Sequence, residues 1–183
     1  MLIPAKPFFI KTNKDRLISD INSIQLPLTD LSYSENGKSA LISSLINLGI
    51  EKESVIACPA FICKDVPESI LNVGYEVRYF DINEKLEILN QDLISIIKDD
   101  TIKAIILVDY FGFNNINNLE IIKKLKVANK IIILDRCHSA FSGNYSLILD
   151  YVDAIAVSFK KFLNVRDGGA IIIKNSSFEK IRL

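Results

Sequence analysis

The first residues that could do chemistry follow a short apolar run near the middle of the chain. Asp135 comes directly after the run IIIL, and His138, the one histidine in the sequence, lies three positions later. Both also have ordinary structural explanations, since a carboxylate can cap a helix or a turn and an isolated histidine can be a hydrogen-bonded part of the framework. Alone, the two residues leave a functional and a structural interpretation open.

A second group of candidates follows the apolar run AIAV. Ser158 comes directly after that run, Lys160 and Lys161 follow, and the diglycine Gly168–Gly169 leads into a further apolar run. The lysines could be solvated surface charges, and the diglycine could form a hairpin turn or allow close approach of the backbone. A lysine placed after a buried strand could also form a Schiff base with a carbonyl compound.

A third group opens the first strongly helical pattern of the chain. Gly37, Lys38 and Ser39 lie where backbone N–H groups at a helix start could bind phosphate, and Ser39 adds a hydroxyl group. The string GKS also invites a P-loop interpretation. The first glycine of that motif would fall at Ser32, and no hydrophobic strand is expected to run into this position, so we disfavour a P-loop.

The order of these three groups favours one cofactor. A possible phosphate cradle is followed along the chain by strand–Asp–x–x–His, by strand–Ser–x–x–Lys and by a diglycine. Pyridoxal 5′-phosphate (PLP) needs a helix N-terminus for its phosphate, a carboxylate for its pyridine nitrogen and a lysine for its aldehyde. The sequence therefore predicts a PLP site.

The elements that must position these residues alternate along the chain. Short, nearly continuous apolar runs are separated by segments with apolar residues at helical spacing. This alternation predicts an α/β fold with a mainly parallel sheet flanked by helices. In such sheets ligands bind beyond the carboxyl ends of the strands. We therefore expect the site in the segments 59–61, 109–112, 135–139 and 158–161.

Composition argues against several other classes of protein. The 22 Lys and Arg residues balance 22 Asp and Glu residues, so no basic field favours nucleic acid. An apolar fraction of 49% argues against disorder, and no apolar run is long enough to span a membrane. One histidine and three scattered cysteines argue against a metal site. The odd cysteine count and the lack of a secretory signal pattern predict free thiols and a cytoplasmic protein.

Several of these segments resemble the DegT-type sugar aminotransferases, which are PLP enzymes of fold type I. The resemblance runs from about Gly37 to Asn175 and implies the large domain of a PLP-dependent transferase, similar to that of aspartate aminotransferase. The matching segments are GKSALISSLINLGI, VIACPAF, VGYEVRYFDIN, KAIILVDYFG, IIILDRCHSAF and DAIAVSFKKFLNVRDGGAIIIKN.

The resemblance implies a role for each candidate residue. Asp135 would pair with the pyridine nitrogen, and His138 would lie near the phenolic oxygen of the cofactor ring. Lys161 would be the Schiff-base lysine and the group that moves the proton during transamination. The residues implied for the cofactor phosphate are Gly37, Lys38, Ser39 and Ser158, and the residue implied for stacking on the ring is Phe61, with Ile62 and Cys63 as weaker alternatives.

The Schiff-base lysine requires a choice between two neighbours. The usual family pattern has its lysine five residues after the serine, and this chain has Leu163 there. The available lysines are Lys160 and Lys161. A divergent branch of the family has a lysine followed by Leu-Pro-Val-Pro-Asp-Gly, which is similar to Lys161 followed by FLNVRDGG, so we predict Lys161 and keep Lys160 as the alternative.

The length of the chain also departs from the family, whose members are usually much longer. We expect an N-terminal segment at residues 1–36 and a PLP-binding large domain at residues 37–175. Residues 176–183 would be the start of a missing or trimmed small C-terminal domain. Because that domain helps to close the active site in the family, this chain could hold the cofactor and still be inactive.

By resemblance, the chain is a PLP-dependent aminotransferase that uses an amino donor and a nucleotide-linked keto sugar in surface polysaccharide or related biosynthesis. The resemblance also implies a homodimer. The first alternative is a truncated PLP-fold homologue without catalysis that acts as a binding or regulatory partner. The second alternative is a nucleotide-binding module that uses Gly37–Ser39. No metal, nucleic acid or membrane is expected as a partner.

Overall fold

A computed structural model describes residues 31–113, 119–142 and 145–174 of the chain. Most of the predicted N-terminal segment, and the predicted segment 176–183, lie outside the described residues. The strands are β1 (Leu31–Ser34), β2 (Val55–Pro59), β3 (Glu76–Phe80), β4 (Ile102–Val108), β5 (Ile131–Asp135), β6 (Ala154–Ser158) and β7 (Gly169–Ile173). The helices are α1 (Gly37–Asn47), α2 (Asp65–Asn72), α3 (Asn90–Lys98), α4 (Leu119–Val127) and α5 (Tyr145–Leu149), with a 3-10 turn at Tyr110–Gly112.

The strands form a single sheet in the order β1-β7-β6-β5-β4-β2-β3. Strands β2 to β6 pair in parallel, whereas β7 is antiparallel to both β6 and β1. The predicted α/β fold with a mainly parallel sheet flanked by helices is therefore confirmed. Within the described residues, no helix is both long enough and apolar enough to cross a membrane.

Both faces of the sheet are buried, which explains why its central strands are almost continuously apolar. Successive residues of a strand point to opposite faces. Ile105 of β4 belongs to a core cluster that includes Ile96 of α3 and Leu125 of α4. Its neighbour Ile106 belongs to a second cluster with Leu41 of α1. Helices α1 and α2 thus cover one face, and α3 and α4 cover the other.

The start of α1 is held against the ends of β6 and β7 by a close backbone approach. A Cβ atom on Gly169 would lie 2.5 Å from the Asn36 carbonyl carbon and 2.8 Å from the Val157 oxygen, so only glycine fits there. The adjacent Gly168 N–H donates a hydrogen bond to the Glu35 oxygen at 2.6 Å. Gly168 and Gly169 therefore allow the backbone of Glu35 and Asn36, directly before α1, to pass close to the end of β6 and the start of β7.

The first strand carries no strong signal in the sequence. Ser32 lies within β1, which is not the hydrophobic strand that a P-loop would require. The four residues of β1 form an edge strand that is partly exposed, so they lack the apolar run that marks the central strands. The structure adds a second argument against a P-loop, since only Glu35 and Asn36 separate β1 from α1 and the phosphate-binding loop of that motif is longer.

Candidate functional site

A cavity of about 510 Å³ opens at the edge of the sheet where β2, β4, β5 and β6 end. This is the edge expected for a ligand site in a parallel sheet. The start of α1 reaches the same edge and completes the wall. The predicted site residues that line the cavity are Gly37, Lys38, Phe61, Asp135, His138, Ser158 and Lys161, with the alternatives Ile62, Cys63 and Lys160 also present.

The first turn of α1 forms one side of the cavity. Asn36 is the N-cap residue, and its Oδ1 accepts hydrogen bonds from the Ser39 N–H at 2.9 Å and the Ser39 hydroxyl at 3.2 Å. Gly37 and Lys38 are the first two helical residues, whose N–H groups have no acceptor within a helix. Ser39 is not among the lining residues, so the structure brings Gly37 and Lys38, but not Ser39, to the cavity.

Gly37 lies in contact with the two strand ends opposite. A Cβ atom at this position would overlap the Cys137 Sγ and would lie 3.0 Å from the Ser158 Cβ. Both neighbours are buried. The absence of a side chain therefore allows the helix start to approach the ends of β5 and β6, and this approach brings the predicted phosphate residues next to the predicted carboxylate.

Asp135 ends β5 and is fixed by its own backbone surroundings. Its Oδ1 accepts a hydrogen bond from the Cys137 N–H at 2.8 Å. Its carbonyl oxygen accepts a hydrogen bond from the Asp109 N–H at 2.9 Å. The residue is 7% exposed and lines the cavity, so its carboxylate is held in place at the cavity wall.

Aromatic rings form a further part of the wall. The His138 and Phe111 rings are stacked, with centroids 5.2 Å apart and planes 9° from parallel. Phe111 has a left-handed backbone with a φ of 56°, which is uncommon for a residue with a side chain. Phe61 lies against Tyr110, whose hydroxyl donates a hydrogen bond to the Phe61 carbonyl at 2.7 Å. Phe61 is nevertheless 61% exposed, so its ring has a free face.

The two neighbouring lysines differ in their surroundings, although both line the cavity. Lys160 Nζ lies 3.5 Å from Asp167 Oδ1, where the two exposed side chains form an ion pair. The positive charge of Lys161 instead acts on His138, where it adds to the lowering of the histidine pKa by burial. Lys160 is thus engaged in an ion pair, whereas the charge of Lys161 acts on a residue of the cavity wall.

Burial and the Asp135 charge together set the protonation of the neighbouring groups. Burial raises the pKa of Tyr110 to about 12, and the negative charge of Asp135 adds to the effect. The same two causes raise the pKa of Cys58 to about 12 and that of Cys137 still further. Desolvation of the His138 ring, followed by the charge of Lys161, lowers the pKa of that histidine, whereas Asp135 opposes the shift. The lining groups Tyr110 and Cys137, whose pKa values are raised, are therefore neutral beside the Asp135 carboxylate.

Two features of the site were not assigned from the sequence. Asn36 carries a recognisable signal, since asparagine directly before a helical pattern is a favoured N-cap residue. The segment 109–112 was expected near the site, but the stacking of Phe111 on His138 depends on the left-handed backbone of Phe111, which no sequence pattern predicts.

Among the described residues there is no group of three or more His, Cys, Asp or Glu side chains that could hold a metal ion.

Comparison with known structures shows what this fold is similar to. One neighbour is NtdA from Bacillus subtilis with bound cofactor PMP (18% identity, TM-score 0.69); the alignment covers 96% of this chain and 46% of NtdA. A second is the aminotransferase TlmJ from Streptoalloteichus hindustanus (15% identity, TM-score 0.68); the alignment covers 86% of this chain and 43% of TlmJ. A third is the PLP-bound C-S lyase from Staphylococcus hominis (15% identity, TM-score 0.70); the alignment covers 96% of this chain and 51% of the lyase.

This chain therefore spans about half the length of these neighbours. At these identities the similarity establishes the fold, and the fold is that of PLP-dependent transferases of fold type I. The PMP and PLP bound in two of the neighbours agree with the predicted cofactor. A comparison with curated protein sequences finds no significant match. A sequence model of the DegT/DnrJ/EryC1/StrS aminotransferase family matches residues 33–182, which is most of the sequence. The chain belongs to the DegT/DnrJ/EryC1/StrS aminotransferase family.

Proposed function

We propose that this chain binds PLP in the cavity and provides the cofactor-binding part of a DegT-type aminotransferase. The observation that carries the proposal is the convergence of three features on one cavity: the start of α1, the buried Asp135 carboxylate and the Lys161 side chain. Each feature suits a different part of the cofactor. Family membership supports the reaction class.

The cavity suits PLP in size and in the character of its wall. Its volume of about 510 Å³ falls within the range of roughly 300–1,000 Å³ of small-molecule sites. The Gly37 and Lys38 N–H groups and the positive end of the helix dipole favour a phosphate group. The Lys38 side chain adds a positive charge, and Ser158 adds a hydroxyl group at the same end of the cavity. Ser39 contributes by interacting with the N-cap.

Asp135 is the group that would hold a proton at the pyridine nitrogen. When bound, PLP supplies an electron sink for negative charge that develops on the substrate carbon next to nitrogen, provided that the pyridine nitrogen is protonated. The hydrogen bond from the Cys137 N–H to Asp135 Oδ1 fixes the carboxylate in one orientation. The neutral thiols and phenol around Asp135 offer no competing positive charge.

Lys161 is the group that would hold the cofactor covalently and would then move a proton at its Nζ as general base and acid. Its neighbour Lys160 is engaged with Asp167, which favours Lys161 for this role. His138, which is stacked on Phe111, would contact the ring, and the exposed face of Phe61 would cover it. These assignments follow from position in the cavity and from the resemblance of the motifs.

For the substrates, we extend the proposal to an amino donor and a nucleotide-linked keto sugar, as used in surface polysaccharide or related biosynthesis. A cytoplasmic homodimer and a large domain at residues 37–175 belong to the same proposal. Their support is membership of the family. They are tested separately from cofactor binding, by sedimentation of the PLP-loaded chain and by screening keto sugars as acceptors.

A half-reaction tests the proposed function directly. The purified chain is loaded with PLP, mixed with glutamate without an acceptor, and analysed for pyridoxamine phosphate by chromatography. An aminotransferase yields this product in stoichiometric amounts, and Asp135→Asn strongly reduces the yield because the pyridine nitrogen loses its counter-charge. Cofactor binding without any product would instead support the alternative of a non-catalytic binding partner. Failure to bind PLP at all would refute the proposal.

A further inference from the structure

A buried ion pair lies next to the cavity but outside the groups assigned to the cofactor. Arg136 Nε lies 3.0 Å from Asp109 Oδ2, and the two side chains are each 2% exposed. Neither residue lines the cavity. Charges buried in this way depend on each other, because removal of one leaves the other without a partner in a medium that solvates it poorly.

The ion pair joins two segments that both form the cavity wall. Asp109 follows β4 and directly precedes Tyr110 and Phe111, which line the cavity. Arg136 follows Asp135, and its own N–H donates a hydrogen bond to the Ala156 oxygen at 2.8 Å. The pair therefore fixes the segment that presents Phe111 to the segment that carries Asp135 and His138.

The Arg136 guanidinium also stabilises the turn at residues 136–142 through contacts with the turn's own residues. Its Nη2 donates hydrogen bonds to the Ser142 carbonyl and, at 2.8 Å, to the Ser142 hydroxyl. The Ser139 hydroxyl donates to Asp109 Oδ2 at 2.8 Å. The Tyr145 ring packs under the guanidinium at 4.5 Å. His138 lies within this turn, so its position relative to the cavity depends on these contacts.

The hydrogen bonding of the pair argues against a role in stability alone. Among the described residues, Asp109 Oδ1 and Arg136 Nη1 are buried and have no hydrogen-bond partner. A buried pair with unsatisfied polar atoms contributes little net stability compared with apolar side chains of similar size. A fixed orientation of the turn is the property that apolar side chains would not supply.

We infer that Asp109 and Arg136 are positioning residues whose ion pair fixes the 136–142 turn so that Asp135 and His138 face the cavity. The claim that Asp135 and His138 contact PLP in the cavity rests on the proposed function. The geometry of the 136–142 turn does not depend on the proposed function, since it is a property of the chain's own residues. The inference can therefore be tested with and without cofactor.

His138 is a natural reporter because it is the one histidine of the chain, so its ring protons give unambiguous NMR signals. The test variant combines Asp109→Asn with Arg136→Met, which removes both charges together and leaves no unpaired ion. The matched control combines Lys126→Met with Asp153→Asn, which removes an ion pair of 2.5 Å at the opposite end of β5.

We expect the test variant to shift the His138 signals and to move the pKa of His138 up towards its ordinary value of about 6.5. The reason is that a loosened turn exposes the ring to solvent and so removes the desolvation that lowers its pKa, and it also moves the ring away from Phe111 and from the Lys161 charge. We also expect PLP to bind about tenfold more weakly, by analogy with the loss of affinity when the residues that orient metal ligands are removed. The control variant should leave both quantities unchanged.

A folded test variant with the His138 signals and pKa of the wild-type chain would overturn the inference. Failure of the wild-type chain to bind PLP, together with the expected His138 shift in the variant, would refute the proposed function and leave the positioning role intact. If the double variant does not fold, Ser142→Ala removes the hydroxyl that accepts from Arg136 and donates to the Ser139 carbonyl, and it leaves the Asp109–Arg136 ion pair in place. That variant should give a smaller shift of the same sign, and an unchanged spectrum would count against the inference.

Discussion

Substitution of Gly37 by alanine is a test in which the sign of the effect is decisive. Gly37 is the first residue of α1 and does not have a left-handed backbone. At such a position, without further contacts, Gly→Ala stabilises a protein by about 0.4–1 kcal/mol because alanine restricts the unfolded chain. An increase in stability is therefore the ordinary expectation for Gly37→Ala.

The contacts around Gly37 reverse that expectation. The added Cβ would overlap the Cys137 Sγ and would lie 3.0 Å from the Ser158 Cβ. Cys137 is 7% exposed and Ser158 is 2% exposed, so neither side chain can swing into solvent. Overpacking of this kind costs about 1–3 kcal/mol. Because the overlap with the sulfur is large, we take the upper part of that range, about 2–3 kcal/mol. Subtraction of the gain of about 0.4–1 kcal/mol leaves a net loss of about 1–2.5 kcal/mol and a fall in Tm of about 2–10 °C.

The assay is urea unfolding of the chain, with Gly37→Ala, Cys137→Ala and the double variant compared with the wild type. Removal of the sulfur leaves the Cys137 Cβ at 3.5 Å from the new methyl group, which is an ordinary contact distance. The double variant should therefore recover about 1 kcal/mol relative to the sum of the single effects. A Gly37→Ala chain that is as stable as the wild type or more stable, with no coupling to Cys137, would refute the close approach of α1 to the site.

Two further predictions concern the N-cap of α1 and the three cysteines. Asn36→Ala removes the acceptor of the Ser39 N–H and should reduce the free energy of unfolding by about 1 kcal/mol, measured in urea, and an unchanged stability would contradict the N-cap. With iodoacetamide at about pH 8, the exposed Cys63 should react in the native chain, whereas Cys58 and Cys137 should react only after unfolding, because burial raises the pKa of both thiols. Mass spectrometry of peptides measures the labelling, and rapid native labelling of Cys58 would contradict the buried thiol.

The sequence predicts the central elements of the fold well because burial on both faces leaves a strong pattern. The apolar runs IIIL and AIAV mark β5 and β6, which are central strands with almost all of their residues buried. The pattern fails at β1, where a four-residue edge strand is partly exposed. It also fails at α5, which is only five residues long and supplies too little periodicity to be recognised.

In the site, the residues marked by a local sequence pattern could be predicted, whereas contacts between residues distant in sequence could not. Asp135 and Lys161 could be placed at the cavity because each follows a recognisable strand. The pairing of Ser39 with the N-cap could not be foreseen, since a serine at a helix start can serve either a ligand or the helix. The buried pair of Asp109 and Arg136 joins residues 27 positions apart in sequence, and an arginine after a strand would ordinarily be expected at the surface.

The attachment of PLP to Lys161 is tested most directly by borohydride reduction and peptide mapping. The chain is incubated with PLP, reduced, digested and analysed by mass spectrometry, with Lys161→Ala and Lys160→Ala treated in parallel. We predict a pyridoxyl group on Lys161 in the wild-type chain and in Lys160→Ala, and its loss in Lys161→Ala. A pyridoxyl group on Lys160 would contradict the choice of lysine, and its absence from both positions would contradict the PLP site itself.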